Sequence, residues 1–192
     1  MTHLSIGAIA RVASCLAIVI ATGASAAEYK TIQLDQSKVT FQYKQMGVAM
    51  DGRFKKFTAE LQFDPAKPAA AKAHIDIDLA SVDAGSSDAD DEVVGKSWFH
   101  TKAFPKATFV TSQIKPAGAN QFDVRGVLTI KGKSQDIQFP LKHTAQGSAG
   151  VLTGGFVIHR GDFSIGEGIW AKFDVVANDI QVNFQLVANA GK

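Results

Sequence analysis

The sequence predicts an all-β protein, an antiparallel barrel of about eight strands with one short helix, and three observations carry that prediction. Apolar and polar residues alternate with period two along most of the chain, turn residues interrupt the alternation at short intervals, and a single stretch has helical character. Alternation marks a half-buried strand, because successive side chains of a strand point to opposite faces. Short connections favour antiparallel neighbours. About eight or nine such strands form either a closed barrel or a two-sheet sandwich; both bury one face per strand, so alternation leaves the two open.

The elements follow in order. Val39, Phe41 and Tyr43 alternate with Thr40, Gln42 and Lys44; Phe57, Ala59, Leu61 and Phe63 alternate with Thr58, Glu60 and Gln62 until Asp64-Pro65 ends the run. Ile75, Ile77 and Leu79 alternate with His74, Asp76 and Asp78. Asp88 to Gly95 breaks the rhythm: it begins acidic, carries Val93 and Val94 and ends in glycine, which predicts a short helix with favourable N-terminal charge. Phe122, Val124, Gly126, Leu128 and Ile130 share one face between the turn signals Pro116-Ala117-Gly118 and Lys131-Gly132-Lys133. Ile137, Phe139 and Leu141 follow, then a glycine-rich stretch from Gly147 to Gly155 that reads as a turn, then Phe156 and Ile158. Ile180, Val182, Phe184 and Leu186 complete the pattern.

The N-terminus sets the expected compartment. Met1 to Arg11 carry one positive charge and no acid, Val12 to Ala21 are mostly apolar, and Ala24-Ser25-Ala26 offers small residues to a signal peptidase. Residues 1–26 therefore read as a signal peptide, residues 27–192 as the mature domain, and the periplasm as its location. The uncharged run of 16 residues from Val12 to Ala27 falls short of the roughly 20 apolar residues of a spanning helix. Cys15 is the only cysteine. Val12-Ala13-Ser14-Cys15 has the look of a lipoprotein site, but Arg11 interrupts the apolar run before it and apolar residues continue after it. With cleavage at Ala26 the mature chain has no thiol, which excludes disulfides, thiol catalysis and cysteine-bound metal. Of 20 basic and 18 acidic residues the leader removes one Arg, so the mature net charge of +1 gives no reason to expect nucleic acid.

A set of ordered motifs adds to this reading. Val39-Thr40-Phe41, Met46-Gly47-Val48, Gly52-Arg53-Phe54, Phe63-Asp64-Pro65, Ser81-Val82-Asp83, Trp98-Phe99, Phe104-Pro105, Ala107-Thr108-Phe109, Gly126 to Gly132 and Arg160-Gly161-Asp162-Phe163 together resemble the YceI family. Val93 to Phe99 and Ile165-Gly166-Glu167-Gly168 are similar to its periplasmic branch. The resemblance spans the mature chain. It implies an extended, lipocalin-like antiparallel barrel with a helix packed against it, and a long apolar tunnel holding an isoprenoid lipid of polyprenyl or quinone type. It further implies a non-catalytic carrier that makes transient membrane contact and forms a homodimer. Under that resemblance the tunnel walls are Phe41, Tyr43, Phe57, Leu61, Ile77, Phe109, Val124, Leu128, Phe139, Ile158, Val182 and Phe184. Trp98, Phe99 and Phe104, just after the helix, are candidates to close one end. An eight-stranded barrel is narrow enough for side chains to fill, so vacancy needs small inward residues, with Ala59, Gly126 and Val182 as candidates.

Polar candidates each have a bland counterpart. Arg53 and Arg160 are candidate head-group ligands, since a guanidinium presents several donors in one plane; the favoured reading is structural ion pairing, Arg53 with Asp83 or Arg160 with Asp162. His74, Asp76 and Asp78 share one strand face, a divalent-site geometry that is more often a solvated row. No metal or cofactor is expected. Asp88 to Glu92 fails the calcium-loop pattern because Val93 stands where glycine is required. Gly161 to Gly166 has one residue too many before Ser164 for a nucleophile elbow. His100, His143 and His159 have no evident nucleophile. Two other classes remain: an interaction protein of a membrane redox system with a filled barrel, and an enzyme acting on a lipid.

Overall fold

Residues 28–191 are described by a computed structural model. The leader read at residues 1–26, Cys15 included, lies outside the described residues. Eleven strands form one antiparallel sheet. They are β1 (Tyr29–Ile32), β2 (Lys38–Gln45), β3 (Val48–Phe54), β4 (Phe57–Gln62), β5 (Lys72–Asp78), β6 (Val82–Asp83), β7 (Lys106–Gly118), β8 (Gln121–Ile130), β9 (Lys133–Gln146), β10 (Ala149–His159) and β11 (Asp179–Ala190). The sheet runs β4-β5-β7-β8-β9-β10-β11-β2-β3-β6, with β1 also on β11. A single sheet rules out the sandwich.

Eleven strands make an eight-ribbon barrel because three ribbons are broken. β1 and β2 lie end to end along one edge of β11, β1 against Ala188 to Ala190 and β2 against Gln181 to Gln185. β3 and β4 are one ribbon bent at Lys55-Lys56, and β5 and β6 are its bent partner: Phe54 pairs with Val82, and Phe57 with Ile77. Hydrogen bonds from Lys55 N to Ser81 O (3.0 Å) and Asp78 N to Lys56 O (3.1 Å) hold the bend. The two ends of the sheet are thus halves of one hairpin, so the sheet closes on itself. At one end Tyr29 and Phe63 exchange backbone hydrogen bonds of 2.8 and 3.0 Å, tying β1 to the end of β4.

Turn chemistry explains the hairpins. Met46-Gly47 and Lys131-Gly132 take positive φ at both residues (49° and 81°, 50° and 73°), as two-residue connections between right-twisted strands require. Two expected turns fall elsewhere. Pro116-Ala117-Gly118 is the end of β7, and the chain reverses at Ala119-Asn120. From Gly147 to Gly155 only Gly147-Ser148 turns; the later glycines belong to β10, where the rings of Tyr29 and Phe184 occupy the Cβ positions of Gly150 and Gly154, and Asn183 Oδ1 and Val182 O that of Gly155. The helix α1 (Ser87–Val93) is close to its expected place. Ser86 caps it by accepting from Ala89 N, and Asp88 and Asp90 sit in its first turn.

The interior is not one core. One buried cluster holds Tyr29, Phe63, Ile114, Phe122, Val124, Phe139, Leu141, Leu152, Leu186 and Ala188. A second holds Leu79, Trp98, Ala107, Leu128, Ile130, Ile158, Phe163, Ile165 and Val176. Phe109, Ile137 and Phe156 are only partly buried and touch both. The barrel is packed towards each end and loose between.

Candidate functional site

An apolar cavity of about 520 Å³ occupies the barrel and touches both clusters. That volume falls within the range of pockets for drug-sized ligands, roughly 300–1,000 Å³. Its walls come from inward-facing positions of nearly every strand, and those residues are often half-buried where a packed core would hide them. Along β4 the pattern is half-buried and exposed in strict turn, with no residue fully buried. Alternation therefore reports the inward face, and incomplete burial reports that the inside is hollow.

The cavity opens at one end. Among its lining residues only Gln45, Ser86, Asp88 and Glu92 are exposed, which places the mouth between the β2–β3 turn and α1. Ala89 and Val93 of the helix, with Trp98, Phe99 and Trp170, line the same end. Phe63, Ile114, Leu141, Leu152 and Leu186 line the far end, where the Tyr29–Phe63 bridge forms a floor.

Glycines shape the walls. Phe41 lies over Gly52, its cross-strand partner, so closely that a Cβ there would sit 2.2 Å from the ring; a Cβ on Gly154 would sit 2.6 Å from the ring of its partner Phe184. Each ring thus occupies the space over its partner glycine that a side chain would take. Gly126 belongs to this set: Phe109 and Val110 O already occupy its Cβ position at 2.5 Å. It is therefore not a gap, contrary to the expectation from its size. Ala59 does not line the cavity, whereas Val182 does.

Most proposed wall residues border this space: Phe41, Tyr43, Leu61, Ile77, Trp98, Phe99, Phe109, Val124, Leu128, Phe139, Ile158, Val182 and Phe184. Two do not. Phe57 sits at the bend after Lys56 and packs on the floor-end cluster. Phe104 sits outside the barrel, against Gly132 and edge-on to His100 at 5.9 Å. Sequence reasoning missed Phe63, Ile75, Phe156 and the inward side of α1; Phe63 and Phe156 carried the right parity, and nothing local marked α1 as a wall.

The arginines are structural. Arg53 lies on the outer face, its Nε and Nη2 donating to Asp83 Oδ2 at 3.1 and 3.0 Å, and this contact holds the Asp83 carboxyl below its ordinary pKa. Arg160 is 1% exposed and has no ion pair with Asp162. Its Nε donates to Ala177 O, its Nη1 to Ile165 O and Gly166 O, and its Nη2 to Trp170 O, Lys172 O and Val176 O, at 2.8 to 3.2 Å. The guanidinium lies 5.3 Å from the Trp98 ring centre and 4.8 Å from that of Phe173. Arg160 borders the cavity, but its donors are engaged in folding the 160–177 loop. Neither arginine has the free donor fork expected of a head-group ligand.

Other polar groups are also committed. Asp76 takes His74 Nε2 at 3.0 Å and Lys106 Nζ at 2.9 Å, while Asp78 caps Ala80 N, so the His74-Asp76-Asp78 row does not converge. Glu92 accepts from Trp170 Nε1 at 2.8 Å across the mouth. Tyr43 donates to Ala84 O at 2.9 Å. Trp98 Nε1 and both ring nitrogens of His143 are buried without a partner among the described residues.

A closed antiparallel barrel with an open-ended apolar interior and a helix at its mouth defines a lipocalin-like binding fold. The chain belongs to the YceI family: the YceI-like domain matches residues 30–188. It is similar to a UPF0312 protein of Yersinia pestis, with 33% identity over 67% of each chain. A Shewanella oneidensis UPF0312 protein shares 29% identity, and the chain spans 59% of that protein's length. Among solved structures, BcnA of Burkholderia cenocepacia matches with TM-score 0.80 and 44% identity over 82% of this chain and 99% of its own. A polyisoprenoid binding domain from Saccharophagus degradans shares the fold at TM-score 0.66 and 19% identity, over 85% of this chain and 99% of its own.

Proposed function

We propose that the protein is a non-catalytic carrier that holds the long apolar tail of an isoprenoid-type lipid in the barrel and leaves an uncharged polar head at the mouth. The observation that carries this is the cavity itself, apolar from its floor at Phe63 to a mouth edged by Gln45, Ser86, Asp88 and Glu92. The polyisoprenoid-binding relative with the same fold supports it. Each methylene-sized group leaving water gains about 0.8 kcal/mol. A bilayer offers the tail similar relief, so exchange between membrane and protein is nearly balanced, as transport requires.

The charges of the wall select the head. Among the described residues Arg160 is the only basic one in the lining, and its guanidinium is engaged by backbone carbonyls. The exposed charged groups among the lining residues are the carboxylates of Asp88 and Glu92. An anionic diphosphate would meet repulsion from these carboxylates and find no free cation in the cavity lining; a hydroxyl or quinone head meets neither penalty. Carrier rather than enzyme fits the same inventory, since Ser86 is occupied as a helix cap and Glu92 by Trp170. We place the carrier in the periplasm, exported by residues 1–26.

Mass spectrometry of an organic extract from protein purified without detergent is expected to show an isoprenoid chain with an uncharged head. Delipidated protein should rebind a polyprenol and bind the matching diphosphate at least about tenfold more weakly, about 1.4 kcal/mol. Extracts without lipid and no rebinding of any polyprenol would sink the carrier reading. Equal binding of the diphosphate would sink the head-group assignment alone.

A further inference from the structure

Large apolar side chains are exposed around the cavity mouth in a way that the barrel does not explain. Ile169 is 89% and Met46 76% exposed, and Val48, Phe173 and Val175 are exposed beside them. They form one rim. Met46 N donates to Val175 O at 2.7 Å, and Gln45 bridges to Val176. Val48 pairs with Gln45 across the turn. Ile169 precedes the wall residue Trp170, and Phe173 covers the outer side of the Arg160 guanidinium. Single exposed hydrophobics are ordinary, and Leu34, Val110, Val127 and Val157 are scattered over the rest of the surface. A contiguous apolar rim around the opening of an apolar cavity marks an interaction face.

We infer that this rim, formed by Met46 and Val48 on the β2–β3 turn and Ile169, Phe173 and Val175 on the 160–177 loop, inserts into the surface of a zwitterionic lipid bilayer. This rests on the lipid-carrier reading above, because continuity with the cavity mouth is what selects a bilayer as occupant. A tail leaving a membrane at this rim enters the barrel without crossing water. The local charges oppose an anionic surface: against Lys44 and Lys172 stand Asp88, Asp91, Glu92 and Asp174. Attachment is therefore hydrophobic, through protruding loop tips.

The test is flotation of the whole mature protein with phosphatidylcholine vesicles, alongside the double variant Met46→Asp, Ile169→Asp. Neither residue lines the cavity, and Asp tolerates the left-handed backbone of Met46 (φ 49°). Wild type is expected to float and the double variant to partition at least about tenfold less, because burying a charge in the interfacial region is costly. Adding phosphatidylglycerol should weaken flotation of the wild type. Both proteins should bind a polyprenol delivered from ethanol with the same affinity, read by tryptophan fluorescence. Wild type that never floats, a double variant that floats equally, or flotation strengthened by phosphatidylglycerol would overturn the inference. So would a wild-type dimer that the two aspartates dissociate, since the occupant would then be a second copy. Flotation lost in the variant while neither protein takes up polyprenol would leave the docking face standing and remove the carrier reading instead.

Discussion

At the scale of single residues, two buried polar side chains play opposite parts: Arg160 organises the fold and His143 burdens it. Arg160 gathers carbonyls from an irregular loop that has no ladder of its own, which is why its role was not legible: its partners, Ile165 to Ala177, carry no side-chain signature. His143 is the opposite case. It is buried between Tyr29 and Phe63, with ring centres 5.1 and 5.7 Å away, and neither nitrogen has a partner among the described residues. Burial lowers its pKa below the ordinary value, so the fold prefers the neutral ring. The unfolded chain takes up the proton first as pH falls below about 6.5, and stability must then drop until the folded-state pKa is passed. The depressed carboxylates of Asp76, Asp83 and Glu167 act in a separate, more acid window. Wild type should therefore lose urea resistance between pH 7 and pH 5 relative to His143→Phe, while the difference between them stays constant above pH 7. Parallel curves throughout would show that His143 is not the titrating group.

At the scale of elements, the glycines opposite aromatic rings set the shape of the walls. Gly126 stands beside a β-bulge, where β7 slips one residue between Thr111 and Gln113, and its missing Cβ admits both Phe109 and Val110 O. Gly126→Ala cannot be relieved by rotating a flexible tip, because one of the clashing atoms is backbone. A loss of roughly 1 to 3 kcal/mol is expected from such overpacking, measured by urea unfolding, with weaker tail binding because Phe109 is pushed inward. An unchanged midpoint would mean that the bulge relaxes freely. The same pairings show what the sequence could and could not tell. Period two placed Phe41, Val182 and Phe184 on the inner face, and all three border the cavity. It could not show that β3 and β4 are one bent ribbon, so Phe57 at the bend was taken for a wall. Nor could it show why Gly150, Gly154 and Gly155 sit within a strand, because the rings or side chains that need the space lie on β1 and β11, far away in sequence. The mouth was invisible for a related reason: Gln45, Glu92 and Trp170 meet only through tertiary closure.

At the scale of the whole molecule, the barrel is sealed and packed at the floor, loosely filled in the middle and open at the helix, and Val182 sits where these regimes meet. Its cross-strand neighbours are Phe41 on β2 and Phe156 on β10, and all three border the cavity. In a close-packed interior, Val182→Phe would force strain costing roughly 1 to 3 kcal/mol. Here the added ring enters space that protein atoms do not fill, so the ligand-free variant should melt within a few degrees of wild type. The ligand bears the cost instead. A long tail must pass Val182 to reach Phe63, whereas a short one stops nearer the mouth, so affinity should fall steeply for long chains and little for short ones. Melting of the delipidated variant and its affinity for a series of polyprenols of increasing length are the two measurements. Strong destabilisation without ligand, or an equal loss of affinity at every length, would place Val182 in a packed core and take away the continuous path from mouth to floor.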